Sequence, residues 1–197
     1  VGIEINERLN LNFEDIPESV LRDGFDRVVS TNRLYLYDHF GSLGSDNLLE
    51  RVQYFAAMGC SFCVLDHLSI VVSDNMDSEA GSERILIDSI MTRLRSLVEQ
   101  TGMGLILVSH LKRPDGKPHE EGGQTSLAQL RGSGAIGHLA DIVCGCERNQ
   151  QDSDTAHQTV IRVLKNRFSG ETGVATKLQF DRDTGRLNEV MADAEDF

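Results

Sequence analysis

Two apolar runs that end in polar side chains constrain this chain more than any other feature. Cys63-Val64-Leu65 runs into Asp66, and Leu105-Ile106-Leu107-Val108 runs into Ser109-His110. A short, unbroken apolar run bounded by turn residues is the pattern of a strand buried in a parallel sheet. Between the two runs, Arg84 to Gln100 sets Ile85, Leu86, Ile87, Ile90, Leu94, Leu97 and Val98 on a broad helical face, and Gly102 is the expected stop. Strand, helix, strand predicts parallel pairing through a crossover. Asp66 and His110 then both fall at the carboxyl ends of strands, where open α/β sheets gather ligands. A carboxylate delivered there suits a Mg-nucleotide site.

The flanking sequence extends this reading. Ile16, Val20, Leu21, Phe25 and Val28 predict a helix opening near Asp15-Ile16-Pro17, proline being tolerated in a first turn. Arg33 to Asp38 alternates as a strand, and Leu48, Leu49, Val52, Phe55 and Ala56 predict a helix after the capping candidate Ser45, closed by Gly59. Val72 to Gly81 reads as a polar loop. Lys112 to Thr125, with Pro114, Pro118, Gly116, Gly122 and Gly123, reads as a mobile one. Ser126 to Leu139 is interrupted by Gly132, Gly134 and Gly137. Ile142 to Cys146, Thr159 to Leu164 and Thr176 to Phe180 read as strands, with Asp183-Thr184-Gly185 as a hairpin turn. The expected fold is α/β: a mostly parallel sheet with flanking helices and a C-terminal β-hairpin, one domain over residues 1–190, then an acidic tail at 191–197.

Composition removes several function classes. A formal net charge of -12 argues against a chain that coats DNA by itself, because backbone binding requires Lys and Arg to neutralise phosphates; nucleic-acid contact must be local. No apolar stretch is long enough to span a bilayer or to serve as a signal peptide, so a cytoplasmic, reducing setting is expected. Zinc would require Cys60-x-x-Cys63 together with Cys144-x-Cys146. Three of these lie in apolar, strand-like runs, where a thiol reads as a small buried hydrophobe. Nothing in the chain matches G-x-x-x-x-G-K-[ST], the loop that cradles nucleotide phosphates. The chain also starts at Val1 in mid-pattern, which is expected of a truncated product.

Taken in order, VLDHLSIVVS, LVSHLKRP, LRGSGAIGHLADIV, CERNQQ and VLKNRFSGETG resemble the successive motifs of ring-forming replicative DNA helicases of the RecA-like, DnaB-like class. The resemblance is strongest to the primase-helicases of T-seven-like phages and extends to mitochondrial Twinkle. It covers the chain from about Val1 to Val190. It implies a RecA-like motor domain without its first strand and phosphate loop. Such a motor is part of a homo-hexamer that hydrolyses ATP or dTTP with Mg2+ while moving on single-stranded DNA.

Residue by residue, the resemblance implies that Asp66 holds Mg2+ through water and that His110 senses the γ-phosphate. Lys112, Arg113 and Lys117 would reach DNA phosphates in a central channel, and Arg131, Gly132, Ser133 and Gly134 would form a second channel loop. The glycines there suit close backbone approach to a strand. Lys165 and Arg167 would project onto the nucleotide of the neighbouring subunit, a task suited to a permanently charged, forked guanidinium. Phe180 would lie against the nucleotide base, with Arg8 on the opposite face and Arg148 and His138 also at the nucleotide. Glu195, Asp196 and Phe197 resemble the acidic, aromatic-ended tail that docks a replicative DNA polymerase.

Gly137-His138 departs from the family, which usually carries a glutamine there, often after a charged residue. The phosphate-loop lysine, its Ser/Thr and the glutamate that activates water would all lie upstream of Val1, so the isolated chain is expected to turn over little or no NTP. Two other readings stand beside the helicase. One is a catalytically silent ring or adaptor subunit without a phosphate loop. The other is a RecA- or RadA-like recombinase core, disfavoured by the Arg167-to-Gly173 element and the tail.

Overall fold

The structure, a computed structural model, describes residues 16–37, 45–68, 80–130, 134–182 and 184–190. Along the chain these form α1 (Glu18–Val29), α2 (Ser45–Ala57), β1 (Phe62–Leu65), α3 (Ala80–Thr101), β2 (Gly104–Leu107), a 3-10 turn (Leu127–Gln129), α4 (Gly134–Leu139), β3 (Ile142–Glu147), β4 (Gln158–Asn166), β5 (Gly173–Phe180) and β6 (Leu187–Val190). They divide into two compact units.

The first unit takes in Tyr37–Arg113 and Ser126–Asp141. Here β1 and β2 pair in parallel, Phe62 opposite Gly104 through Leu65 opposite Leu107. The ladder is prolonged by Val108 N–H donating to Leu65 O at 2.9 Å and Leu68 N–H to Val108 O at 3.0 Å. α3 is the crossover, and it buries Ile87, Ile90, Met91, Leu94 and Leu97 against Leu48, Leu49 and Val52 of α2 and Ile136 of α4. Cys63, Leu65, Leu105 and Leu107 pack on this core from the sheet. Ile85 is 71% exposed and does not join it. At about 100° per residue it lies nearly opposite Ile87, so the buried face is narrower than the apolar content of α3 implies. Gly59 (φ +90°) and Gly102 (φ +69°) close α2 and α3 in the left-handed region where glycine is unstrained, as the sequence predicts.

Two expectations for this part of the chain are corrected. The β1–β2 sheet is covered on one face only among the described residues: Phe62, Val64 and Ile106 on the other face are 72%, 64% and 54% exposed. Residues 33–37 form no strand. Leu34, Tyr35, Leu36 and Tyr37 are all exposed, so neither alternating set marks a buried face that would fix the segment as a strand.

The second unit takes in Pro114–Thr125, the chain from Ile142 onward and the stretch up to Leu36, which includes α1. Its frame is the antiparallel sheet β3-β4-β5-β6. The expected hairpin is β5–β6, with Phe180 opposite Leu187 and Asp181 N–H donating to Arg186 O at 2.8 Å. It is one edge of a wider meander, in which β3 to β6 all pair antiparallel. Asp183 of the predicted turn lies outside the described residues.

Cys144 and Cys146 are exposed, contrary to their reading as buried hydrophobes. Gly145 and Glu147 take the buried face of β3, and strand alternation turns both thiols outward. Cys63 is half-buried in the other unit, and burial first, then the neighbouring Cys60, pushes its thiol up. Among the described residues no group of three or more His, Cys, Asp and Glu side chains gathers as a metal cage, and no helix is long and apolar enough to cross a membrane.

Candidate functional site

The parallel pair ends in a cluster of polar side chains. Asp66 follows β1 directly and is exposed, His67 is half-buried, and His110 stands exposed beyond β2. The rings of His67 and His110 meet edge to face with centroids 4.3 Å apart. Adjacent parallel strands therefore bring the Asp66-His67 dipeptide and His110 to the same sheet edge, as the two apolar runs predict. The Asp66–His67 peptide bond is cis. His67 Nδ1 is buried and has no hydrogen-bond partner. Asp66 is the exposed carboxylate at this end of β1 that could hold a divalent cation such as Mg2+, which takes one or two protein carboxylates and keeps several waters.

Immediately after His110 the chain meets the segment leading to the second candidate loop. Leu111 and Leu130 form an antiparallel bridge, and Lys112 N–H donates to Gln129 O at 2.7 Å. The 3-10 turn before Leu130 is closed by a reciprocal cap between Ser126 and Gln129. Lys112 and Arg113 thus follow directly on the bridge that Leu111 makes with Leu130. Both are exposed. Arg131, Gly132 and Ser133 lie outside the described residues. Gly134 opens α4, where an added Cβ would meet His138 at 3.5 Å. His138 sits in the last turn of α4. Arg95 of α3 donates to Asp141 just past α4, tying the two helices together.

In the other unit the sequence-singled residues sort to the two ends of one sheet. Arg148 follows β3, whose last residue, Glu147, pairs with Val160 near the start of β4. Phe180 ends β5 and donates its N–H to His157 O at 2.8 Å, also at the start of β4. Arg148 Nε donates to Ala156 O at 2.6 Å, and Phe180 is 42% exposed. Lys165 and Arg167 lie at the far end: Lys165 pairs with Val143, and Arg167 follows the last residue of β4. β4 has nine residues, so about 27 Å separates the two ends at roughly 3.4 Å per residue.

The turn that carries Arg167 is built by its own sequence. Asn166 Oδ1 accepts from Phe168 N–H at 3.0 Å and from Ser169 N–H at 3.3 Å, and Asn166 O accepts from Gly170 N–H at 2.9 Å. This side-chain cap fixes the chain direction on either side of Arg167, which is exposed. A register shift precedes it. Cys144 pairs with Val163 and Val143 with Lys165, leaving Leu164 as an extra residue on β4, and such a bulge re-aims the side chains that follow.

One constellation was not singled out by the sequence. Glu147, 9% exposed, accepts at Oε1 from Thr125 N–H (2.7 Å), Thr125 Oγ1 (2.8 Å) and Arg162 Nε (2.9 Å), and at Oε2 from Arg162 Nη2 (3.1 Å). Burial pushes its carboxyl up, but the hydrogen bonds from Arg162 and Thr125 outweigh burial and hold it below the usual carboxylate range. Gly145 makes room for this arrangement, since an added Cβ would fall 2.0 Å from Thr125 Oγ1. The signals available were a glycine inside a strand and an acid at its end.

The segment expected to be a mobile loop is folded here. Gly123 and Glu121 N–H both donate to Pro118 O, Gln150 N–H donates to Glu120 O at 2.8 Å, and Glu121 bridges Asn149. Backbone hydrogen bonds, which proline and glycine content does not reveal, pin the segment to the end of β3. Lys117 is exposed within it. Arg8 and the tail residues Glu195, Asp196 and Phe197 lie outside the described residues.

One unit holds a parallel pair with its crossover helix and the other an antiparallel sheet, and the fold is RecA-like α/β. A solved ATPase domain matches it with a TM-score of 0.68 over 90% of this chain and 62% of that one, at 16% identity. A DnaB-like replicative helicase, in a structure describing its interactions with primase, matches with a TM-score of 0.67 over 95% of this chain and 46% of that one, at 17% identity. The sequence carries the assignment further: residues 10–189 match the DnaB-like helicase C-terminal domain, and the chain belongs to that family. It is 39% identical over 191 residues to the DNA helicase/primase of Enterobacteria phage T3, covering 93% of this chain and 33% of that protein. It is 27% identical over 118 residues to the replicative DNA helicase DnaB of Treponema pallidum (strain Nichols), covering 60% of this chain and 25% of that protein. The chain therefore spans about a third of the first relative and a quarter of the second.

Proposed function

We propose that this chain is the later part of the motor domain of a phage replicative DNA helicase, acting within a homo-hexameric ring in the host cytoplasm. The ring hydrolyses ATP or dTTP with Mg2+ and draws single-stranded DNA through its centre. The observation that carries the reading is the separation along β4: Arg148 and Phe180 at one end of the sheet, Lys165 and Arg167 at the other. This backbone separation, about 27 Å, supports assigning the two sets to different nucleotides, the second being supplied by the next subunit of a ring of identical subunits.

Asp66 holds Mg2+, which neutralises charge on the phosphates when bound. His110 donates a hydrogen bond to the terminal phosphate, and the Leu111–Leu130 bridge beside it links that contact to the loops that touch DNA. Lys112, Arg113, Lys117 and the 131–134 loop take up DNA phosphates. Lys165 and Arg167 stabilise charge on the phosphoryl group of the neighbour's nucleotide, while Phe180 stacks on the base of the subunit's own, with Arg8, His138 and Arg148 as further nucleotide contacts. Glu195, Asp196 and Phe197 dock a basic patch on a replicative polymerase. Because the chain contains no phosphate-cradling loop, the 197-residue piece alone turns over little NTP. The test is DNA-stimulated NTP hydrolysis and strand separation by the full-length protein, with Asp66→Asn as the comparison. Stimulated turnover that survives Asp66→Asn contradicts the proposal.

A further inference from the structure

Among the described residues the buried carboxylate of Glu147 hydrogen-bonds to Thr125 and Arg162, neither assigned above to nucleotide or DNA, yet it joins the elements that carry two such groups. On one side it holds Thr125, the last residue of the Pro114–Thr125 segment that bears Lys117. On the other it takes both Nε and Nη2 of Arg162, which lies on β4 with only Val163 and the bulged Leu164 between it and Lys165. The segment is fixed to β3 a second time through Glu121–Asn149 and Gln150–Glu120. Gly145 shows that the contact is built into the strand, because any side chain there would displace Thr125.

We propose that Glu147 is a positioning residue: it fixes the Lys117 segment on the sheet whose β4 strand presents Lys165 and Arg167, so that DNA contact and contact with the neighbour's nucleotide move as one body. This rests on the functional reading above. A paired carboxylate does this better than an apolar contact, because four directional bonds at one side chain define orientation and register, whereas greasy packing tolerates sliding.

The experiment uses the full-length protein and three substitutions. Thr125→Val keeps the shape and removes the hydroxyl donor, Thr125→Ser restores it, and Glu147→Gln keeps an acceptor for Thr125 while opposing Arg162 with a donor. Single-stranded DNA affinity, the ratio of DNA-stimulated to basal NTP turnover, nucleotide KM and hexamer mass are measured, together with hydrogen exchange at Thr125. Thr125→Val and Glu147→Gln are expected to lower both DNA affinity and the stimulation ratio by about tenfold, with Thr125→Ser near the parent. Nucleotide KM and hexamer mass stay unchanged, which a merely structural lesion would not spare. The proposal is overturned if exchange shows Thr125 released while DNA affinity and stimulation remain within about twofold of the parent. If Thr125→Val does not fold, Glu147→Gln decides by the same criteria. Lys117→Ala distinguishes the two readings: no effect of that substitution on DNA affinity, or no DNA stimulation in the parent, removes the functional reading itself.

Discussion

Replacing Glu147 with Ala removes the one acceptor that satisfies Thr125 N–H, Thr125 Oγ1 and the Arg162 guanidinium together. Breaking a buried ion pair by removing one partner costs about 3–5 kcal/mol. Arg162 is 21% exposed in its side chain and recovers some hydration, so the lower end, about 3 kcal/mol, is appropriate. That corresponds to roughly a hundredfold loss of hydrogen-exchange protection at the Thr125 amide. Amides of α3, in the other unit, should keep theirs. The pH dependence follows from the direction of the shift. The folded carboxyl titrates below its ordinary value of 4.5, so its contribution is fully present above 4.5 and is lost as pH falls through the folded value. Parent and variant should therefore differ by the full amount at neutral pH and converge under acid. The reasoning is refuted if Thr125 protection in Glu147→Ala equals that of the parent at neutral pH, or if the difference grows as the pH is lowered.

Gly145→Ala forces a Cβ to within 2.0 Å of Thr125 Oγ1, so it should reproduce the release of Thr125 at a cost of about 1–3 kcal/mol, read by the same exchange measurement. Leu94 is 1% exposed at the centre of the α3 core, and Leu94→Ala should cost about 2–5 kcal/mol in denaturant unfolding, visible as faster exchange across α3. Ile85→Ala, on the exposed side of the same helix, should stay within about 0.5 kcal/mol of the parent in the same assay.

What the sequence made legible was local. The two apolar runs and the helical spacing between them located β1, α3 and β2, and the ends of those strands located Asp66 and His110, because period and length report local structure, although they overstated burial at Phe62, Val64, Ile85 and Ile106. Gly59 and Gly102 marked helix ends for an equally local reason. What was not legible depended on partners distant in sequence. Arg33 to Tyr37 alternates like a strand but forms none, and Leu34 and Leu36 are exposed. Cys144 and Cys146 are apolar by composition, yet Gly145 and Glu147 claim the buried face of β3. The Lys112 to Thr125 segment carries the composition of a mobile loop, and its hydrogen bonds to Asn149, Gln150 and Glu147 lie more than twenty residues ahead of it. The bulge at Leu164, which sets the direction of Lys165 and Arg167, exists only in the register between β3 and β4.

The central claim is that Arg167 serves a nucleotide other than the one bound by Asp66 of its own subunit. Asp66→Asn and Arg167→Ala are each made in the full-length protein, where each should lower NTP turnover by at least about a thousandfold, and the two inactive proteins are then mixed and allowed to reassemble. Every interface that pairs an intact Asp66 with an intact Arg167 from the next subunit should work, so the mixture should recover turnover that neither variant has. A mixture that assembles into rings and remains as inactive as its components would contradict the account.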